Sequence, residues 1–201
     1  PDYETKSTYT ATVTASDGTN STTQDITVNV TNENDAPKIS NSNVFSIDEN
    51  QRDVGQIIAS DDDEDSLTYS ISGSDFTISD SGVISFTFDP DYETQNIFQE
   101  TVTVSDSVNA STQVITVNVN NLNDNSPQIT SRAEYIVEKG ATNIGSVTAT
   151  DLDGITSFIY SISDSDLEVS DQGVITLSED INSSKRFITA ILSVSDSINT
   201  A

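Results

Sequence analysis

The sequence predicts an all-β protein built from tandem antiparallel β-sandwiches. Three observations support this prediction. Apolar residues alternate with Thr and Ser along short segments, helical 3.6-residue periodicity of useful length is lacking, and blocks of sequence recur at intervals of about 90 positions. Each repeat holds about seven strand-like segments separated by Asp, Asn and Gly turns, as in an antiparallel sandwich.

The repeat defines the expected domain organisation. Pro1-Asp2-Tyr3-Glu4-Thr5 returns as Pro90-Asp91-Tyr92-Glu93-Thr94, and Gly82-Val83-Ile84 returns as Gly173-Val174-Ile175. A period of this length corresponds to a domain rather than to one turn of a solenoid. We therefore expect residues 1–36 to be the C-terminal part of one repeat, residues 37–126 to be a complete repeat, and residues 127–201 to be a repeat that lacks its last strand.

Alternation along the individual segments predicts half-buried strands. In the first segment an apolar face alternates with a face of Thr and Ser, because side chains two positions apart lie on the same side of a strand. The apolar faces are Tyr9, Ala11, Val13 and Ala15; Ile26, Val28 and Val30; Leu67, Tyr69 and Ile71; Ile84, Phe86 and Phe88; and Ile115, Val117 and Val119.

Composition excludes several classes of function. The chain has 201 residues, with 33 Asp and Glu against 7 Lys and Arg, a formal net charge of −26, and no Cys, His, Met or Trp. Disulfides, thiolate metal sites and histidine-dependent catalysis are therefore excluded. So high a negative charge also argues against binding to nucleic acid or to anionic membranes. The apolar content of 33% is typical of disordered chains, but the alternation favours a folded one.

The acidic residues gather at a few places that recur in each repeat. Two carboxylates about 4 Å apart repel by about 4 kcal/mol at an effective dielectric constant near 20, so converging groups need a cation. Carboxylate, amide and backbone carbonyl oxygens form a hard ligand set that favours Ca²⁺. The acidic clusters are Asp48-Glu49-Asn50, Asp61-Asp62-Asp63-Glu64-Asp65, Asp91-Tyr92-Glu93, Asp106 and Asn121-Leu122-Asn123-Asp124-Asn125.

Four of these motifs resemble the calcium motifs of cadherin repeats, and most closely the cadherin-like tandem repeats of large bacterial surface adhesins. They are Glu49-Asn50, Asp61-x-Asp63, Asp91-Tyr92-Glu93 and the boundary segment 121–125. The resemblance covers essentially the whole chain. It implies Greek-key sandwiches with seven strands per repeat and calcium-binding linkers between repeats.

The resemblance also implies the calcium ligands. At the junction between 37–126 and 127–201 they are Glu49, Asp91, Glu93, Asn123, Asp124, Asn125, Asp151, Asp153 and Asp196. At the junction near residue 35 they are Asp2, Glu4, Asn34, Asp35, Asp61, Asp63 and Asp106. Asn32 and Asn121 stand where the family usually has Asp, which removes one charge from each junction. In the third repeat, Glu138-Lys139-Gly140 and Asp180-Ile181-Asn182 replace two of the motifs, so calcium binding beyond it is expected to be weaker.

Other uses of the acidic residues fit less well. Asp61, Asp63 and Asp65 have the spacing of the first ligands of an EF-hand, but Ser66 and Ser72 stand where that loop requires Gly and Glu. Paired carboxylates can hydrolyse glycosides, but acidic groups that recur at every junction favour a structural role. We therefore expect no enzymatic activity.

The predicted function is that of a Ca²⁺-stiffened extender in a large adhesin or filament at the cell surface, outside the cell. Its expected partners are calcium ions and neighbouring repeats, with other adhesin chains or cell-surface glycans as further candidates. The alternative is an adhesion module that itself binds a protein, through a homophilic contact, or a glycan. A third hypothesis is a chain that folds only when calcium is present.

Overall fold

The computed structural model describes residues 1–138, 140–178 and 187–201, and the regular elements in these ranges are all β-strands. The predicted motif Asp180-Ile181-Asn182 and Lys139 of Glu138-Lys139-Gly140 lie outside the described residues. No helix in these ranges could span a membrane. Contacts divide the chain into two compact units. Unit 1 comprises Pro1–Asp91 and Gln95–Asn120, and unit 2 comprises Tyr92–Thr94 and Asn121–Ala201.

Unit 1 begins with a hairpin of two nine-residue strands, β1 (Thr8–Ser16) and β2 (Ser21–Asn29). Their antiparallel register pairs Tyr9 with Val28 and Ala11 with Ile26, so the predicted apolar faces of the two strands coincide. The opposite face carries mainly Thr and Ser, together with Asp25 and Asn29 of β2. Every residue of both strands is exposed.

The rest of unit 1 is a two-layer sandwich. One layer is a four-stranded sheet in the order β4-β11-β10-β7, and the other is a three-stranded sheet in the order β5-β9-β8, with β3 paired to β6. The pairings are antiparallel except that β4 runs parallel to β11. The strands are β3 (Lys38–Ile39), β4 (Val44–Asp48), β5 (Asp53–Gln56), β6 (Ala59–Ser60), β7 (Thr68–Ile71), β8 (Phe76–Ile78), β9 (Val83–Phe86), β10 (Ile97–Ser105) and β11 (Ala110–Asn120).

The inward faces of the two sheets form the core. Phe76, Phe86 and Phe98 contact one another there, with ring centroids 4.5, 4.9 and 6.2 Å apart in tilted and edge-on arrangements that aromatic pairs favour. Phe88 continues the predicted alternation of β9 but lies beyond the end of that strand and is 39% exposed. The buried apolar residues of this sandwich are Ile47, Val54, Ile57, Phe76, Ile84, Phe86, Phe98, Val102, Val104, Ile115, Val117 and Val119.

Unit 2 repeats the same plan over its described residues. A three-stranded sheet has the order β13-β17-β16, and two further pairs are β15-β18 and β12-β14. Val147, Ile175 and Val194 are its buried apolar residues. The strands are β12 (Gln128–Ile129), β13 (Asn143–Ser146), β14 (Ala149–Thr150), β15 (Ile159–Ile162), β16 (Leu167–Val169), β17 (Val174–Leu177) and β18 (Leu192–Ser195).

Matching irregularities show that the sequence repeat is also a structural repeat. The register of β5 against β9 shifts between Asp53 and Gly55, and that of β13 against β17 shifts between Asn143 and Gly145. The two glycines have φ near +150°, and an added Cβ would lie within 3 Å of an aromatic ring in each case. The all-β sandwich architecture expected from the alternation is therefore the observed one.

Candidate metal centres

Five carboxylates of unit 2 converge on one region. An oxygen of Asp153 lies within 4.8 Å of oxygens of Asp151 and Asp196, and another group within the same limit joins Asp153 to Glu93 and Asp124. Asp151 follows β14 directly, Asp153 lies two residues further on, and Asp196 follows β18. Asp124 comes from the segment before β12, and Glu93 comes from the separate segment Tyr92–Thr94. Asp153 is therefore the shared member of both groups, and it is only 9% exposed.

The linker residue Asn125 is bonded to this cluster through both its backbone and its side chain. Its backbone N–H donates to Asp153 Oδ2 at 2.9 Å, and its Nδ2 lies 2.7 Å from Asp153 Oδ1. The same Nδ2 lies 3.2 Å from Glu93 Oε2 and 3.1 Å from Asp124 Oδ1. One amide group is thus the common donor to three carboxylates.

Asp196 uses its two oxygens for different purposes. Oδ1 accepts the backbone N–H groups of Ile198 and Asn199 at 2.7 and 2.6 Å and closes the turn after β18. Burial works to raise the pKa of Asp196, but these N–H groups outweigh it and hold the pKa below its usual 3.8. Oδ2 faces the Nδ2 of Asn199 at 3.3 Å, and that amide also donates to Asn123 Oδ1 at 3.1 Å.

Unit 1 contains an equivalent arrangement. The backbone N–H of Asp35 and the Nδ2 of Asn32 donate to the two oxygens of Asp63 at 2.7 and 2.8 Å, and these bonds lower the pKa of Asp63. The Nδ2 of Asn34 donates to Asp106 Oδ2 at 2.8 Å. Asp106 Oδ1 accepts two backbone N–H groups of its own turn, as Asp196 does.

The predicted ligands Asp2 and Glu4 lie near this second cluster. Asp2 Oδ1 accepts the backbone N–H of Glu4 at 3.1 Å, and its Oδ2 accepts the hydroxyl of Thr5 at 2.7 Å. A backbone hydrogen bond at Glu4 works to lower the pKa of that carboxyl, but desolvation, a side-chain hydrogen bond with Asp2 and the negative charges of Asp63 and Asp2 raise it overall. Glu4 therefore interacts with two other carboxyl groups of unit 1.

Glu49 and Asp91 form a further pair in unit 1. One oxygen of each lies within 4.8 Å of the other, and Glu49 is only 1% exposed. The adjacent backbone is held in place, because the N–H of Glu49 donates to the carbonyl of Asn120 and the N–H of Asn50 donates to the carbonyl of Pro90. Carboxylates are seldom buried to this degree unless they are paired or bind a cation.

The residues present fit a divalent cation. Asp61 Oδ2 in unit 1 and Asp151 Oδ2 in unit 2 occupy equivalent repeat positions, and both are buried oxygens without a hydrogen-bond partner. Over the described ranges the ion pairs are Lys38–Asp62 and Arg52–Asp89, and neither includes a clustered carboxylate. Oxygen-only ligand sets with buried carboxylates suit Ca²⁺ or Mg²⁺ better than the softer transition metals.

The unit 1 cluster has one member that the sequence pattern did not single out. An oxygen of Asp65 lies within 4.8 Å of oxygens of Asp61 and Asp63, although Asp65 was not among the predicted ligands. The acidic run 61–65 carried the signal, and the repeat comparison obscured it because only Asp61 and Asp63 have acidic equivalents in unit 2. Asn121 was noted only for its missing charge, but its Nδ2 donates to the carbonyl of Asp153 at 3.0 Å.

The comparisons with known proteins concern the fold. Residues 34–120 match the model of a family described as Bacterial Ig domain. No curated protein sequence matches the chain. The family matched is a structural one without enzymatic activity, and its limits coincide closely with β3 to β11.

Solved structures of cadherin extracellular repeats are similar to the whole chain. A protocadherin gammaB7 EC3–6 structure, described as a cis-dimer, superposes on all of the chain with a TM-score of 0.74 and 21% identity, and the chain spans 58% of it. Mouse cadherin-23 EC22–24 superposes with a TM-score of 0.65 and 22% identity, and the match covers 96% of this chain and 70% of that structure. Drosophila N-cadherin EC1–4 superposes with a TM-score of 0.69 and 19% identity, and the match covers 89% of this chain and 50% of that structure. The chain therefore consists of cadherin-like, Ig-like β-sandwich repeats.

Proposed function

We propose that this chain is a non-catalytic extender or stalk segment of an extracellular adhesin, in which Ca²⁺ joins successive sandwiches and stiffens the array. The observation that carries the proposal is the repetition of one arrangement. Asp61 and Asp151 occupy equivalent positions, and each contributes a buried oxygen without a hydrogen-bond partner to a cluster of carboxylates. A catalytic centre would not need to be built once per repeat.

The triplet Asp91-Tyr92-Glu93 supports the bridging role. Asp91 belongs to unit 1 and pairs with Glu49, while Glu93 belongs to unit 2 and groups with Asp124 and Asp153. Asp91 and Glu93 are only two residues apart in the chain. Ions bound by their two groups would therefore hold this short segment to residues of both units. With this function we also propose the division expected from the sequence, with a partial repeat at 1–36, a complete repeat at 37–126 and a third repeat at 127–201.

The same residues explain what calcium would supply. A bound divalent cation would offset the repulsion among the carboxylates and would replace the Asn125 amide as the common partner of Asp153, Glu93 and Asp124. Ca²⁺ accepts six to eight oxygens in irregular geometry, whereas Mg²⁺ requires a strict octahedron and retains its waters. A crowded set of carboxylates from separate segments suits the larger, more tolerant ion. The segment would then act mechanically, each sandwich contacting only its neighbours.

Small-angle scattering of the chain in excess chelator and then in excess Ca²⁺ tests this function. If calcium joins the repeats, the maximum dimension lengthens and the distance distribution sharpens to that of a rod. The matched comparison is between a variant with Asp151, Asp153 and Asp196 changed to Asn and a variant with the exposed residues Asp80, Glu134 and Asp171 changed to the corresponding amides. Both lose three charges, and only the first should lose the response.

Two results would contradict the proposal. One is a pair of coincident scattering profiles for the unmodified chain. The other is an equal loss of response in both variants, which would show that net charge rather than a built site controls the shape. Circular dichroism in chelator separates a third case, because a chain that folds only with calcium loses its β-sheet signal there.

A further inference from the structure

The outer face of the four-stranded sheet in unit 1 is almost free of charge. We call it the Thr/Val face. Strand register places sixteen side chains on it, and Asp48 at one end is the only one that is charged. The members are Val44, Ser46 and Asp48 of β4; Thr68 and Ser70 of β7; Ile97, Gln99, Thr101, Thr103 and Ser105 of β10; and Ala110, Thr112, Val114, Thr116, Asn118 and Asn120 of β11.

Three exposed aliphatic side chains lie on this face, with about 8 Å between the positions of Val44 and Val114 and about 12–14 Å from either to Ile97. Val44 is 51% exposed, Ile97 54% and Val114 52%. Thr116 is paired with both Val44 and Gln99, and Asn118 in the next outward row is paired with Ile97. Val114, paired with Thr101, lies in the row on the other side of Thr116. The pairing therefore places the three aliphatic groups within neighbouring rows, where strands are about 4.8 Å apart.

We propose that the Thr/Val face is a weak self-association surface that packs against the same face of a second copy of this chain. The negative charge of the molecule favours a second copy of the chain as the partner of this face. Two copies with a formal net charge of −26 each repel one another over most of their surface, and a face with one peripheral carboxylate is where they can meet at least electrostatic cost. A cationic partner would instead be drawn to the acidic clusters.

The chemistry of the face agrees with a protein partner. It has no aromatic side chain on which a sugar ring could stack, and its short Thr, Ser and Val side chains form the flat surface that packs sheet against sheet. A two-fold contact requires a surface that is complementary to itself, and an uncharged face meets that requirement without matched ion pairs.

The size of the face sets the expected strength. The four strands have 5, 4, 9 and 11 residues. At about 3.3 Å per residue and about 4.8 Å between strands they offer roughly 450 Å² per copy, or roughly 900 Å² in total. That total is below the roughly 1,200 Å² of stable specific interfaces, so the contact should be weak in an isolated chain. Uncharged outward rows also recur in unit 2, where Ile159 and Ser161 of β15 pair with Ser195 and Ser193 of β18.

Sedimentation equilibrium of the whole chain over micromolar to millimolar concentrations, in excess Ca²⁺, tests the proposal. We expect a monomer–dimer equilibrium that strengthens as salt is added, because salt screens the repulsion between the acidic molecules. Val114→Asp should weaken the dimer at least about tenfold, while Val114→Thr should leave it nearly unchanged. The matched control is Val83→Asp, an exposed valine in β9 of the opposite sheet, which should dimerise like the unmodified chain.

Amide chemical shifts recorded on dilution supply a second readout that does not depend on the stability of a variant. Concentration-dependent shifts confined to β4, β10 and β11 would support the proposal. A chain that stays monomeric to millimolar concentration, or a Val83→Asp variant as impaired as Val114→Asp, would overturn it. So would shifts of these amides with neutral dextran but not with protein concentration, which would assign the face to a glycan. The inference does not depend on the calcium proposal, since it concerns a different face and is tested at constant calcium.

Discussion

The Glu100 carboxylate lies against Gly73 in unit 1. Glu100 faces the core from β10, is 8% exposed, and accepts the backbone N–H of Asp75 on Oε1 at 3.0 Å. A Cβ at Gly73 would lie 2.2 Å from that same oxygen, and Gly73 has φ +77°. The two residues are therefore mutually dependent, because the carboxylate occupies the space that glycine leaves open.

The first prediction follows from this contact. Gly73→Ala should lower the free energy of unfolding by about 2–4 kcal/mol, since it adds both a clash and a strained positive φ. Gly18→Ala is the control, because Gly18 also has positive φ and an added Cβ there meets nothing within 4 Å. It should cost about 1 kcal/mol. Equal losses in urea unfolding would show that backbone strain alone matters.

In the third repeat a different carboxylate accepts the backbone N–H that is equivalent to that of Asp75, which gives a second prediction. There the position of Glu100 is Ala190 and that of Gly73 is Asp164, whose Oδ1 accepts the N–H of Asp166 at 2.8 Å. Combining Gly73→Asp with Glu100→Ala should therefore recover stability that either change alone loses. We expect a coupling free energy of about 1–2 kcal/mol in a double-mutant cycle. If the losses of unfolding free energy from the two single changes simply add in the double variant, the two residue pairs are not interchangeable.

A third prediction concerns Asp153, the carboxylate that belongs to both groups of unit 2. Asp153→Asn keeps the shape of the side chain but removes the charge common to both carboxylate groups of unit 2. Calcium affinity measured by calorimetry should fall about 10- to 100-fold, the range typical when a residue of a metal site is altered. Asp171→Asn removes the same charge from an exposed turn and should change affinity little. If both variants bind calcium equally, Asp153 is not a ligand.

A fourth prediction tests the role of the amide at position 121. Asn121→Asp replaces the donor to the Asp153 carbonyl by a carboxylate, so the protein should be less stable in chelator. It should also bind calcium more tightly, because one more negative charge faces the ion. Thermal unfolding with and without calcium measures both effects. Asn143→Asp, an exposed change at the start of β13, should produce neither. A variant that moves both quantities in the same direction would contradict the prediction.

A fifth prediction concerns pH. The backbone N–H groups of Asn20 and Thr19 donate to Asp17 Oδ1 at 2.7 and 2.9 Å and lower its pKa below 3.8. Asp17 lies in the turn between β1 and β2. Its stabilisation of that turn is therefore fully present above about pH 4 and is lost as the pH falls through the lowered pKa. Carboxyl chemical shifts should give a midpoint below 3.8, and Asp17→Asn should remove this part of the pH dependence of the hairpin. A midpoint at or above 3.8 would contradict it.

The sequence by itself determined the strands, their inward faces and the repeat. A strand alternates its side chains with a period of two whatever it pairs with, so the faces of Ile84 and Phe86 or of Val117 and Val119 follow from local order alone. The acidic clusters were equally local, because turn carboxylates such as Asp106 and Asp196 follow a strand directly. The sandwich class and the regions rich in candidate ligands could therefore be predicted.

Only the tertiary structure decided which of these groups meet. That Asp153 is shared by two carboxylate groups depends on how distant segments converge. Alternation places position 100 in the core, yet the repeat-specific carboxylate there has a place only because Gly73 of a neighbouring turn leaves room for it. The Thr/Val face likewise exists only once β4, β7, β10 and β11 are in register. Pairing between segments many residues apart sets these relationships, and no local period encodes it.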